Sequence, residues 1–149
     1  MKVVELFTDG ACRGNPGPGG WGVLMRYGDK EKSLCGGEAD TTNNRMELTA
    51  SIKALEYCLI LQKNSFLNKE IEIFTDSLYV KKGITEWIKN WENNNWKTAD
   101  KKVVKNIDLW KNLKELSESK KISWYWIKGH SDHPMNDLAD KLAKQAAPF

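Results

Sequence analysis

"TTNNRMELTASIKALEYCLILQ", residues 41–62, is where the spacing of apolar side chains changes. Met46, Ala50, Leu55, Cys58 and Leu59, with Ala54 and Leu61 nearby, suit a helix with a broad apolar face. Asn44, followed three residues later by Glu47, has the form of a capping box and predicts the helix start. Upstream the pattern is different. "KVVELFT" (2–8), "GWGVLMRYG" (20–28) and "KEKSLCGGEA" (30–39) read as three strands of a meander with glycine-marked bends.

Downstream, short strands and helices alternate. "EIEIFTD" (70–76) is a strand ending at Asp76, and Ser77 is placed to cap the next helix, "LYVKKGITEWIKNW" (78–91). A connection rich in lysine and tryptophan leads to a helix around "VKNIDLWKNLKELSE" (104–118) and a fifth strand, "KISWYWIKG" (121–129). The loop "HSDH" (130–133) and Pro134, suited to a first helical position, open a last helix, "MNDLADKLAKQAA" (135–147). This order predicts an α/β fold, a mixed five-stranded sheet flanked by helices, in one domain over residues 1–149.

At 149 residues, 40% hydrophobic and 29% charged, the chain is long enough to bury a core without staples. Cys12, Cys35 and Cys58 are odd in number and lack a CxxC pair, which argues against a disulfide framework or a structural zinc site. No stretch has the length of a signal-peptide core or a membrane span, so a cytoplasmic location without membrane partners is expected. The net charge of +3 is uneven: residues 81–121 hold eleven lysines against six acidic side chains, a local +5 that leaves −2 elsewhere. A basic end suits a polyanion and acidic residues elsewhere suit metal ions, although charge alone favours a solvated lysine-rich face.

The acidic residues have more to say. Asp9 in "LFTDGACRGNPGPGGWG" (6–22) stands between an apolar run and a Gly/Pro cluster, where Asp-Gly is also a common turn signal. It is expected at the C-terminal end of the first strand, as Asp76 is at the end of the fourth, and α/β sites form outside such ends. Neighbouring parallel strands lie ~4.8 Å apart, and carboxylates at that distance repel unless a cation sits between them. Oxygen ligands without cysteine favour Mg²⁺ or Mn²⁺ over zinc. Bland roles remain open: Glu47 as a capping-box residue and Asp76 as a strand-end cap. Asp137 and Asp140 share a face of the last helix, and periodicity does not choose between them. His130 and His133 are equal candidates in the preceding loop.

"TDGACRGNPGPGGWG", "TTNNRMEL", "FTDSLYV" and "KGHSDHPMNDLAD" occur in the order and spacing of type I ribonuclease H, the bacterial kind, in its single-domain form. The resemblance continues through "GITEWIKNWENNNWKTADKKVVKNIDLW" (83–110), which is similar to the family's basic handle. It implies a ribonuclease H-like fold and a monomeric, metal-dependent endoribonuclease. The expected substrate is an RNA–DNA hybrid, whose RNA strand would be hydrolysed by a two-metal mechanism to 3′-hydroxyl and 5′-phosphate ends. Two Mg²⁺ ions are implied in the substrate complex, with Mn²⁺ as an alternative.

Position by position, Asp9, Glu47, Asp76 and Asp140 match the family's four catalytic, metal-binding carboxylates. The "N-x-x-A-D" pattern at residues 136–140 selects Asp140 over Asp137. His130 matches the catalytic-loop histidine. Asn15, Asn43 and Asn44 match positions in the hybrid's minor groove, and Thr42 and Asn106 the pocket for a DNA-strand phosphate. Trp87, Trp91, Lys101, Lys102 and Lys105 match the handle. Leu78 departs from the pattern, because relatives commonly carry glutamine there.

Physical chemistry agrees with these roles. Two metals ~3.5–4 Å apart can activate water and stabilise a leaving oxygen. Short amide side chains can bond to 2′-hydroxyls, lysines to phosphates, and tryptophan can stack on sugars. A non-catalytic hybrid-binding module would carry the handle without the carboxylates. Integrase-like relatives would share the acidic cluster without the handle or "GNPGPGGWG".

Overall fold

Strands β1 (Val4–Cys12), β2 (Gly17–Tyr27) and β3 (Lys30–Thr41) pair as an antiparallel meander in the computed structural model, which describes residues 3–64, 70–118, 121–128 and 134–148. Helix α1 (Asn43–Asn64) carries the chain over, so that β4 (Ile71–Thr75) pairs parallel with β1. Strand β5 (Ile122–Trp126) then adds parallel to β4, giving the order β3-β2-β1-β4-β5, the mixed five-stranded sheet expected. Between them, α2 (Leu78–Lys82) runs through a π-helical turn at Gly83–Trp87 into α3 (Ile88–Asn93), followed by α4 (Ile107–Glu118). Helix α5 (Pro134–Ala146) closes the fold.

Strand alternation divides the core in two. Val4, Leu6, Val23, Met25, Ile71 and Ile73 face α1 and α4, packing on Leu48, Ile52, Leu55, Trp110 and Leu113. On the other face a smaller cluster joins Phe7 and Leu24 to Ala139 of α5, flanked by Phe74 and Met135. Phe7, Phe74 and Tyr125 stack across three parallel strands, with ring centroids 4.8 and 5.2 Å apart. Helix α5 lies directly on β2: a Cβ at Gly22 would come within 2.5 Å of the Ala139 carbonyl oxygen. Among the described residues no helix is long and apolar enough to cross a membrane.

Two expectations need correction. Asp9 is not at the end of its strand, because β1 continues to Cys12. The parallel ladder to β4 stops at Thr8↔Thr75, while the antiparallel ladder to β2 runs on through Asp9↔Gly22 to Cys12↔Gly19. Residues 17–20 accordingly belong to β2, and their glycines serve close packing more than bending. The capping box also does not form. Helix α1 starts two residues earlier than a cap at Asn44 would place it, and Thr42 is the cap: its Oγ1 accepts the Arg45 N–H (3.2 Å). Glu47 is thereby released to face β1. Ser77 caps α2 as expected, accepting the Val80 N–H at 3.1 Å.

Candidate active site

Three carboxylates converge where the β1–β4 ladder ends. Asp9, on β1, is only 3% exposed, and the Gly10 N–H donates both to its Oδ1 (2.9 Å) and to Glu47 Oε1. Helix α1 can come this close because residue 10 has no side chain; a Cβ there would lie 2.5 Å from the Glu47 nitrogen. Asp76 follows β4 directly, braced by the Trp126 Nε1–H, which donates to its carbonyl oxygen at 3.0 Å. One oxygen from each of Asp9, Glu47 and Asp76 lies within 4.8 Å of the others.

Such crowding disfavours ionisation. Burial pushes the Asp9 carboxyl up from 3.8 to about 8; the Glu47 hydrogen bond opposes this, and Asp76 and Asp140 add to it. Glu47 is driven well above the ordinary glutamate value, first by burial and then by Asp9. Asp9 Oδ2 is buried with no hydrogen-bond partner among the described residues. An orphaned carboxylate oxygen within an all-oxygen donor set fits a hard divalent cation, which would both partner that atom and relieve the repulsion.

Asp140 reaches the same place from α5. It lines a cavity of about 360 Å³ with Asp9, Glu47 and Asp76, and its Oδ2 pairs with Lys144 Nζ at 3.0 Å. Asp137 lines that cavity too, but only Asp140 bears on the ionisation of Asp9. His130 and His133 lie outside the described residues.

The polar rim follows from the start of α1. Asn43 and Asn44 line the cavity, and the Asn43 backbone N–H donates to Asn15 Oδ1 at 3.1 Å, which brings those three amides to one edge. Leu78 is on the rim as well, 48% exposed. A second polar cluster lies where α1 packs against α4. Arg45 Nη1 donates to Asn106 Oδ1 (3.2 Å), and Arg45 Nη2 pairs with Asp108 Oδ2 (3.4 Å). Thr42 is one turn away, its hydroxyl oxygen occupied by the Arg45 N–H. The Asn106 Nδ2 and Trp110 Nε1 hydrogens both go to the Tyr79 hydroxyl oxygen, at 3.2 and 3.0 Å.

Beyond α3, a loop bridged at Lys97↔Val103 carries Lys101, Lys102 and Lys105, all exposed and in no ion pair among the described residues. Trp87 and Trp91 are half-buried at its base: their centroids are 6.0 Å apart, and Trp91 packs on Trp96 (6.2 Å) and Trp110 (5.3 Å). These indoles build the loop's foundation as well as its surface. Sequence reasoning missed Arg45 and Tyr79. Each lies inside a motif quoted above, yet no spacing in the chain links either of them to residue 106.

A family model described as RNase H matches residues 1–148. The chain belongs to the RNase H family. It is 57% identical over 148 residues to a ribonuclease H of Parvibaculum lavamentivorans, covering 99% of this chain and 94% of the relative. A ribonuclease H of Rhizobium johnstonii is 56% identical over 152 residues, covering 100% and 95%. Among solved structures, LC9-RNase H1, a type 1 RNase H with the type 2 active-site motif, superposes with a TM-score of 0.85 at 30% identity, covering 99% of this chain and 72% of that one. Likeness of this extent makes the chain an RNase H enzyme, and its acidic cluster could hold the metal on which that family depends.

Proposed function

We propose that this chain, acting as a monomeric single domain in the cytoplasm, cuts the RNA strand of RNA–DNA hybrids with two Mg²⁺ ions. The observation that carries the reading is the buried acidic cluster with its orphaned Asp9 oxygen, set beside a row of amides. Asp9, Glu47, Asp76 and Asp140 would hold the cations, Mn²⁺ being the alternative. When bound, these supply charge to the scissile phosphate and acidify an attacking water, so that 3′-hydroxyl and 5′-phosphate ends result.

The chain's own residues do the rest. The Asn15, Asn43 and Asn44 amides bond to successive 2′-hydroxyls in the minor groove, which selects RNA in the cleaved strand. Thr42 and Asn106 take a phosphate of the DNA strand, beside Arg45, whose charge favours an anion there. Lys101, Lys102 and Lys105 meet further phosphates, and Trp87 and Trp91 offer apolar surface to the sugars. His130 accepts a proton from the attacking water or helps the product to leave.

End-labelled cleavage of four matched duplexes, with and without Mg²⁺, tests this. The hybrid should be cut in its RNA strand only and only with metal. All-DNA should be untouched, and all-RNA and single-ribonucleotide duplexes should be poor substrates. Comparable cutting of all-DNA would overturn the reading.

A further inference from the structure

Tyr79 stands between the two halves of this interface. Helix α2, on which it lies, begins two residues after Asp76, and Tyr79 lines the cavity that holds the carboxylates. Its hydroxyl, however, is turned to the other cluster, accepting from Asn106 Nδ2 at 3.2 Å and from Trp110 Nε1 at 3.0 Å. A phenol oxygen has two lone pairs, and both are taken. The indole can only donate, so its bond fixes which atom of Tyr79 it meets.

The Asn106 amide is gripped at both ends. Nδ2 goes to Tyr79, and Oδ1 accepts from Arg45 Nη1 at 3.2 Å, so the amide has one orientation. Its backbone, at φ 59°, is in the left-handed region, which asparagine adopts more readily than most residues. One amide hydrogen remains, and no described residue takes it.

We infer that Tyr79 is a positioning residue for the DNA strand. Its hydroxyl holds Asn106 so that the spare N–H is presented to a phosphate. Helix α2 then ties this grip to the strand end that carries Asp76. The inference rests on reading Asn106 as a phosphate-pocket residue. A preset donor binds an anion more tightly than one that must first be oriented, whereas the hydrolytic step depends on the carboxylates. Tyr79 should therefore act on affinity and leave turnover at saturation alone.

Tyr79→Phe removes the hydroxyl and keeps the ring, with its contacts to Trp87 (5.8 Å) and Trp110 (5.2 Å). Hybrid affinity, kcat and Tm are measured for the wild type, Tyr79→Phe, Asn106→Ala and the double variant. Each single change should weaken binding roughly three- to tenfold, the range expected for one hydrogen bond, and in Tyr79→Phe the loss should fall on affinity rather than on kcat. The double variant should be no weaker than Asn106→Ala alone. A substrate-side probe completes the cycle. A single neutral methylphosphonate scanned along the DNA strand should reveal one phosphate whose loss weakens the wild type more than it weakens Tyr79→Phe. A lower Tm with unchanged affinity, or effects that simply add, would overturn the inference while Asn106→Ala still weakens binding. If Asn106→Ala itself binds normally, the phosphate-pocket reading fails first, and this inference with it.

Discussion

Asp9 is a carboxylate held where its charge is unfavourable, and that has a measurable sign. Its folded pKa, about 8, lies above the 3.8 expected when the chain is unfolded, so the fold favours the protonated form. Without metal, the stabilisation from proton uptake is complete below about pH 4 and is lost as the pH rises through about 8. The metal-free protein should therefore melt progressively lower from pH 5 to pH 8. Asp9→Asn should flatten that decline and raise Tm at pH 8 by roughly 4–8 °C, the shift ~2 kcal/mol produces in a domain of this size. Cleavage of the hybrid should be lost in the same variant. Differential scanning calorimetry in chelator decides the matter: an Asn variant that melts lower at pH 8 would contradict the electrostatic account. At this scale the sequence was only partly legible. Asp9 and Asp76 could be paired from their positions next to strands. Glu47 could not be told from a capping residue, because the true cap, Thr42, lies two residues ahead of the one the pattern suggested. Arg45 and Tyr79 were invisible, since what joins them to Asn106 is the packing of three helices far apart in the chain.

Among the elements, the basic loop carries unusual backbone. Asn95, Trp96, Lys101 and Asn106 all have positive φ, between 54° and 62°, though none is glycine. The left-handed conformation costs an ordinary residue ~1–2 kcal/mol, and asparagine somewhat less. Lys101, at φ 62° and exposed, should thus be improved by glycine: Lys101→Gly is expected to raise Tm by roughly 2–4 °C. Hybrid binding should move the other way, with weaker affinity and a salt-dependence slope smaller by ~0.9 for the lost phosphate contact. A titration series in salt beside a melting curve checks both, and a Tm that falls would rule out backbone strain at this site. The order of helices and strands was legible from period and from cap and turn residues, though the single helix expected over 78–91 is interrupted by the π-helical turn at Gly83–Trp87. What misled was glycine: residues 17–20 look like a turn but belong to β2, where Gly20, like Gly22 beyond it, leaves bare backbone for α5 to rest on.

The whole molecule distributes its chemistry over both sides of one sheet. Asp9, Glu47 and Asp76 come from β1, α1 and the end of β4, which share the larger core, whereas Asp140 comes from α5 on the opposite side. Helix α5 is seated by close backbone approach and by a small cluster around Phe7, Leu24 and Ala139. If Asp140 helps the other three carboxylates to hold cations, as proposed above, the bound metal would act as a latch between layers. Excursions in which α5 lifts off and exchanges its amide hydrogens with solvent would have to release the ion first. At a hundred times Kd, Mg²⁺ should slow exchange in residues 134–146 by up to about a hundredfold. The hairpin of β2 and β3 should be much less affected. Exchange mass spectrometry with and without Mg²⁺ reads this directly, and equal protection of the two regions would mean that α5 does not open separately. Because Gly22 brings α5 against the strand beside Asp9, an ion held there with the help of Asp140 would also hold down the last helix, and hydrogen exchange would then report occupancy of the site without any substrate present.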